Sequence, residues 1–140
     1  PLVQAAFAAG YTVVIATQPV FPLAAIEHRL MWAQVEDFPY ALITCYENMH
    51  TTKPDPAYYL EICRMIGYEP AQCLMVGNDP INDMVVGTIG MKTYLVTDSD
   101  PAGLEVSRTT YSTPPPGIPK PDFEGPLLAV PEAVQALMSN

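Results

Sequence analysis

Leu74-Met75-Val76-Gly77-Asn78-Asp79-Pro80-Ile81-Asn82-Asp83 decides how this chain is read. An apolar run ends in glycine, and two aspartates follow, four positions apart. A buried strand opening into such a turn holds both carboxylates at its carboxyl end, where open α/β sheets bind ligands. Paired acids in that place point to a hard cation such as Mg²⁺, which takes oxygen ligands and often bridges to phosphate. A structural reading stands beside this one. Asp79 can cap a helix with Pro80 at its first position, and Asp83 can be a favourable charge in the first turn. The two readings are compatible, because a cap facing a crevice is also placed for a ligand.

Outward from this stretch, strands and helices alternate. Residues 2–9 read as the end of a helix closed by Gly10, and residues 12–16 (Thr-Val-Val-Ile-Ala) as a strand buried on both faces. A helix follows Pro22, from Leu23 to Ala33, and a short strand covers 40–44. Asp55 and Pro56 take the N-cap and first position of a helix that runs to Ile66 and stops at Gly67. Then come a strand at 73–76, a helix from Pro80 to Ile89 capped by Gly90, a strand at 92–96 and a short amphipathic helix from Pro131 to Met138. Short links between alternating elements predict an α/β fold, a parallel sheet covered on both faces. Residues 112–121, with five prolines, are an extended loop.

At 140 residues the chain has room for one domain, and its 49% hydrophobic and 15% charged residues describe a folded, core-rich protein. Net charge is −9, with six Lys+Arg spread singly along the chain. That argues against nucleic acid and membrane partners, which need clustered cations to displace counterions. Phosphate can still be bound locally, through backbone amides, one lysine and a metal. Cys45, Cys63 and Cys73 are odd in number and lack CxxC spacing, so reduced thiols in a cytoplasmic protein are expected. Neither a signal peptide nor an apolar stretch of membrane-spanning length is evident. The first residue is Pro1, so the chain is expected to begin inside something longer.

Two further residues bear on chemistry. Thr17 sits where an apolar strand stops; it is either a strand-end turn residue or a hydroxyl donor to a phosphate oxygen. Lys53, in Lys53-Pro54-Asp55-Pro56, is either a solvated lysine or a point charge fixed at a helix entry and aimed at phosphate. His28 reads as a helix-surface residue and His50 as a loop residue without a metal-spaced partner. Trp32, Met31, Tyr58 and Tyr59 read as helical core. Asp98 and Asp100 read as caps of a turn and helix at Asp100-Pro101. No Ser/His/Asp or Cys/His pairing at a strand end is indicated.

The order of these features resembles the haloacid dehalogenase (HAD) superfamily over about residues 1–98. Thr17 matches its second motif, Lys53 before a helix its third, and Asp79 with Asp83 its acidic fourth. The resemblance implies a Rossmann-like three-layer α/β/α core and a Mg²⁺-dependent phosphatase or related hydrolase acting on a small phosphorylated metabolite. It implies catalytic roles for Thr17, Lys53, Asp79 and Asp83, substrate contacts from Thr17, Gln18 and Lys53, and metal ligation by Asp79 and Asp83. Residues 99–121 are then a Pro-rich loop, and 122–140 a terminal strand and helix of the same single core domain, with no cap domain.

One departure matters. The family's first motif, a strand ending in Asp-x-Asp, lies upstream of the second, and no Asp or Glu precedes Thr17 here. Its first aspartate attacks phosphorus to form an aspartyl-phosphate, so the chain alone is expected to be inactive. The expected reading is therefore a fragment whose partner is its own missing N-terminal segment. A non-catalytic phosphate-binding remnant and one half of a split hydrolase are the alternatives, and dehalogenase or phosphonatase chemistry is a variant of the same scaffold. The missing strand belongs at the sheet centre, so a sheet disturbed there is expected.

Overall fold

The computed structural model describes residues 2–98 and 116–139. The chain divides into two compact units, Pro1–Gly67 and Tyr68–Asn140.

In the first unit, α1 (Leu2–Ala8), β1 (Val14–Ile15), α2 (Leu23–Trp32), β2 (Leu42–Ile43) and α3 (Pro56–Ile66) follow in order. β1 and β2 pair in parallel, with Val14 opposite Leu42 and Ile15 opposite Ile43. The expected strands over 12–16 and 40–44 are thus present but short, because only these pairs align. Both ends of α3 are set by local chemistry. The Asp55 side chain accepts the Ala57 N–H at 2.9 Å, Pro56 needs no N–H partner, and Gly67 takes φ +76° to close the helix.

α2 buries Ile26 and Leu30, one turn apart, against Cys45, with Ile15, Val35, Tyr40 and Ile43 packed around them. Phe7 stacks on Phe38 at 5.4 Å between centroids, and Tyr40 meets Phe7 edge-on. Tyr58 and Tyr59 are fully buried, as expected, whereas Met31 and Trp32 are exposed, Trp32 by 79%. The expectation of a core role for these two fails on helical geometry: they lie off the stripe that Ile26 and Leu30 define.

In the second unit, β3 (Leu74–Gly77), β4 (Lys92–Val96) and β5 (Phe123–Gly125) form a parallel sheet in that order, followed by α4 (Val130–Met138). Leu74 stands opposite Lys92, and Tyr94 opposite Phe123. The Asp122 carboxylate pins β5 to β4 by accepting the N–H of Thr93 at 3.0 Å and its hydroxyl at 3.2 Å. Met75, Met84, Val86, Tyr94 and Val96 are buried.

The segment after β3 is not the α-helix expected from Pro80 to Ile89. A 3₁₀ helix covers Met84–Ile89 instead, and Gly90 closes it at φ +87° as expected. The Asp79 carboxylate accepts the N–H groups of Ile81 and Asn82 beside Pro80, as its reading as a cap expects, and the capped turn leads directly into the 3₁₀ helix.

All strand pairings among the described residues are parallel, and β1 and β3 are each an edge strand of their own sheet. Of the proline loop, residues 112–115 lie outside the described residues, as does Asp100; Asp98 accepts the Leu127 N–H at 2.8 Å. No described helix is long and apolar enough to cross a membrane.

Candidate active site

Thr17 lies two residues beyond β1, and both its backbone N–H and its carbonyl are held by buried hydroxyls. Thr44, one residue beyond β2 and fully buried, accepts the Thr17 N–H on Oγ1 at 2.9 Å. That same oxygen lies 2.9 Å from the Thr17 carbonyl oxygen, which also accepts from the Tyr58 hydroxyl at 2.7 Å. The Thr17 hydroxyl itself donates to the Thr44 carbonyl at 3.2 Å. To donate to a phosphate oxygen it would have to rotate away from that carbonyl.

Gln18 and Lys53 are joined. The Gln18 Oε1 accepts the Lys53 N–H at 2.9 Å, and Gln18 Nε2 donates to the Lys53 carbonyl at 3.2 Å. The Lys53 ammonium lies 5.9 Å from the centre of the Tyr59 ring, at the outer reach of a cation–π contact. The Lys53–Pro54 peptide is cis. Thr17, Gln18 and Lys53 therefore meet within the first unit through two adjoining loops.

Three residues before Lys53, His50 is tied to α3. Glu61 accepts the His50 N–H at 3.1 Å on one oxygen and meets its Nδ1 at 2.5 Å with the other. The hydrogen bond from the His50 ring holds the Glu61 carboxyl below its ordinary value, against the opposing effect of burial. A cleft of about 430 Å³ opens beside this pair, lined by His50, Thr51, Ala57, Glu61, Arg64 and Met65. None of the five expected site residues lines it.

Asp79 and Asp83 meet within the second unit. Asp79 Oδ1 accepts the N–H groups of Ile81 at 2.8 Å and Asn82 at 2.9 Å, and its Oδ2 accepts from the Asn82 side-chain amide at 3.2 Å. Asp83 is 4% exposed, and its Oδ2 accepts the Asp79 N–H at 3.1 Å. The absence of a side chain at Gly77 makes this possible, since a Cβ there would lie 2.6 Å from the Asp83 Cβ and overlap its carboxylate.

These donors can be tested against the metal that the sequence predicts. Mg²⁺ is commonly held by one or two carboxylates, with waters and phosphate completing the shell. Asp79 spends three of its roughly four lone-pair sites on hydrogen bonds, leaving about one for a further partner. Two hard-oxygen carboxylates locked together at a strand end fit that partial, open kind of site. Among the described residues no group of three or more His, Cys, Asp or Glu gathers, so a closed all-protein cage is not built.

Sequence reasoning missed Thr44, Tyr58 and the spatial role of Gly77. A signal for Thr44 existed: like Thr17, it is a threonine that ends a short apolar run, Ala41-Leu42-Ile43. Tyr58 read only as core, because nothing local shows that its hydroxyl reaches back to residue 17.

A model of the haloacid dehalogenase-like hydrolase family matches residues 1–87. Among solved structures, the chain is similar to a HAD phosphatase from Thermococcus onnurineus, with TM-score 0.69 and 18% identity over 96% of this chain and 55% of that one. It is similar to a predicted phosphoglycolate phosphatase from Haemophilus somnus, with TM-score 0.71 and 19% identity over 96% and 54%. A 2-haloacid dehalogenase from Pseudomonas syringae matches with TM-score 0.52 and 24% identity over 79% and 42%. The chain thus spans about half the length of these structures, and at such identities the likeness establishes the fold. No curated protein matches.

Proposed function

This chain belongs to the haloacid dehalogenase-like hydrolase family, and from that membership we propose that it is the carboxyl-terminal part of the core of a Mg²⁺-dependent phosphatase for a small phosphorylated metabolite. The observation that carries the reading is the hydrogen-bonded join between the loops of residues 17–18 and residue 53. It brings a hydroxyl-bearing and an ammonium-bearing residue into neighbouring loops of one unit, and phosphoryl groups are recognised by such combinations.

The roles follow from charge. Lys53 offsets negative charge that gathers as a nucleophile approaches phosphate. The Thr17 hydroxyl, once rotated from the Thr44 carbonyl, orients a phosphoryl oxygen. Asp79 and Asp83 would hold Mg²⁺, which when bound neutralises charge on phosphate oxygens. The covalent step needs a carboxylate that attacks phosphorus while the ester oxygen leaves, with water later cleaving the aspartyl-phosphate. No Asp or Glu precedes Thr17 in these residues, so the chain by itself turns over no phosphate ester in this proposal. Its free thiols fit a reducing compartment such as the cytoplasm.

The test is to assay p-nitrophenyl phosphate with Mg²⁺, using this chain alone and the chain extended by its upstream coding sequence. Activity only in the extended protein, lost on Lys53→Met or Asp79→Asn, is expected. An extended protein with a strand-end Asp-x-Asp but no phosphatase activity, or one indifferent to Lys53→Met, would overturn the proposal. Upstream sequence without that motif, and no turnover, would instead make the chain a phosphate-binding remnant.

A further inference from the structure

We propose that Gln18 is a positioning residue whose side-chain amide fixes Lys53 relative to Thr17, so that the two act as one phosphate-facing unit. The inference rests on the phosphate reading above and adds a residue that acts through another. The amide of Gln18 spends one acceptor and one donor on the N–H and C=O of a single residue thirty-five positions away. A side chain that reads both backbone groups of its partner behaves like a neighbouring strand: it fixes position and orientation together. The partner is Lys53, whose ammonium rides on a flexible four-carbon stem. Anchoring the base of that stem is the way to limit where its charge can go.

The other end of the clasp is equally constrained. Gln18 follows Thr17, whose backbone is gripped by Thr44 and Tyr58. It precedes Pro19, which is buried and whose ring fixes φ. A continuous line of hydrogen bonds therefore runs from two fully buried hydroxyls through Thr17 and Gln18 to the backbone of Lys53. Gln18 is only partly exposed, and its amide is turned onto the protein backbone.

The experiment uses the full chain, labelled with ¹⁵N, and reads amide hydrogen exchange at Lys53 alongside titration with inorganic phosphate. Gln18→Met keeps the length of the side chain and removes both hydrogen bonds. It should speed Lys53 exchange about two- to tenfold, the range for losing one net hydrogen bond. Phosphate affinity should fall several-fold, although Thr17 and Lys53 are unchanged, while amides of Thr44 and Tyr58 keep their protection.

Gln18→Glu retains an acceptor for the Lys53 N–H but no donor for its carbonyl, and should give an intermediate exchange rate. Should Gln18→Met unfold the chain, this second variant carries the test alone. Lys53 exchange that is unchanged in both variants overturns the inference. So does weaker phosphate binding with unchanged Lys53 exchange, which would make Gln18 a direct phosphate contact. A wild-type chain that ignores phosphate, while Gln18→Met still speeds Lys53 exchange, overturns the phosphate reading and leaves the clasp standing.

Discussion

Thr44 holds Thr17 at both of its backbone polar groups, accepting its N–H at 2.9 Å and lying 2.9 Å from its carbonyl oxygen. Neither threonine hydroxyl is spent on its own strand-end turn alone; Thr44, fully buried, is committed to setting the backbone of Thr17. Replacing Thr44 by valine keeps the shape but strands the Thr17 N–H. We expect a loss of about 1–3 kcal/mol, the cost of an unsatisfied buried polar group. Thr44→Ser, which keeps the hydroxyl, should cost only the missing methyl, about 0.5–1.5 kcal/mol. Urea unfolding of the three chains checks this.

Tyr58 shares that network, donating to the Thr17 carbonyl at 2.7 Å and contacting the Thr44 hydroxyl at 2.9 Å. Tyr58→Phe should cost about 1 kcal/mol on its own. Because both residues converge on Thr17, combining Tyr58→Phe with Thr44→Val should depart from additivity by about 0.5–3 kcal/mol. A double-mutant cycle in urea reads the coupling; strict additivity would show that the hydroxyls act independently.

Gly77→Ala should be poorly tolerated, because the new Cβ would overlap the Asp83 side chain. Overpacking of this kind costs about 1–3 kcal/mol. If Asp83 is pushed aside, the Asp79 N–H loses its acceptor and the paired carboxylates separate. Thermal unfolding should show the destabilisation, and a Mg²⁺ titration of the folded variant should show weaker binding than wild type. An unaltered melting temperature would mean that the turn of residues 79–83 shifts without cost.

Stability should depend on Glu61 at acid pH. Its carboxyl is held below the ordinary value chiefly by the His50 hydrogen bond, with the charges of His50 and Arg64 adding to that effect and burial opposing it. A carboxyl with a lowered folded value contributes stability that is fully present above its unfolded value, about 4.3. That contribution disappears as pH falls through the folded value. Between about pH 5 and 3, wild type should therefore lose more stability than Glu61→Gln. Parallel losses in urea unfolding across that range would remove Glu61 from the account.

What was legible in the sequence is what local chemistry decides. Asp55-Pro56 and Gly67 bound α3 because a cap, a proline and a left-handed glycine act within a turn of the helix end. β4 falls on Lys92–Val96, as its apolar and β-branched run indicates. The misreadings lie elsewhere. The α-helix expected from Pro80 to Ile89 is a capped turn followed by a 3₁₀ helix from Met84, although Asp79 caps the N–H groups of Ile81 and Asn82 as its sequence reading expects. Trp32 looked like core because it is large and apolar, yet only its angle around α2 decides burial, and Ile26 and Leu30 occupy the inward stripe.

The candidate site divides in the same way. Residue types near strand ends marked Thr17, Lys53, Asp79 and Asp83. The join between Gln18 and Lys53, and the grip of Thr44 and Tyr58 on Thr17, depend on residues 27 to 41 positions apart. No local pattern encodes such distances, so tertiary placement alone reveals them.

Gly77 and Asp83 form a single unit of mutational inheritance. The Cβ expected at position 77 would lie 2.6 Å from the existing Cβ of position 83, so shortening Asp83 to alanine does not make room for it. Only glycine at 83 would relieve the overlap, and that change discards the carboxylate. The two positions are therefore coupled in one order: a side chain at 77 is harmful while any Cβ stands at 83, and it fits once 83 is glycine.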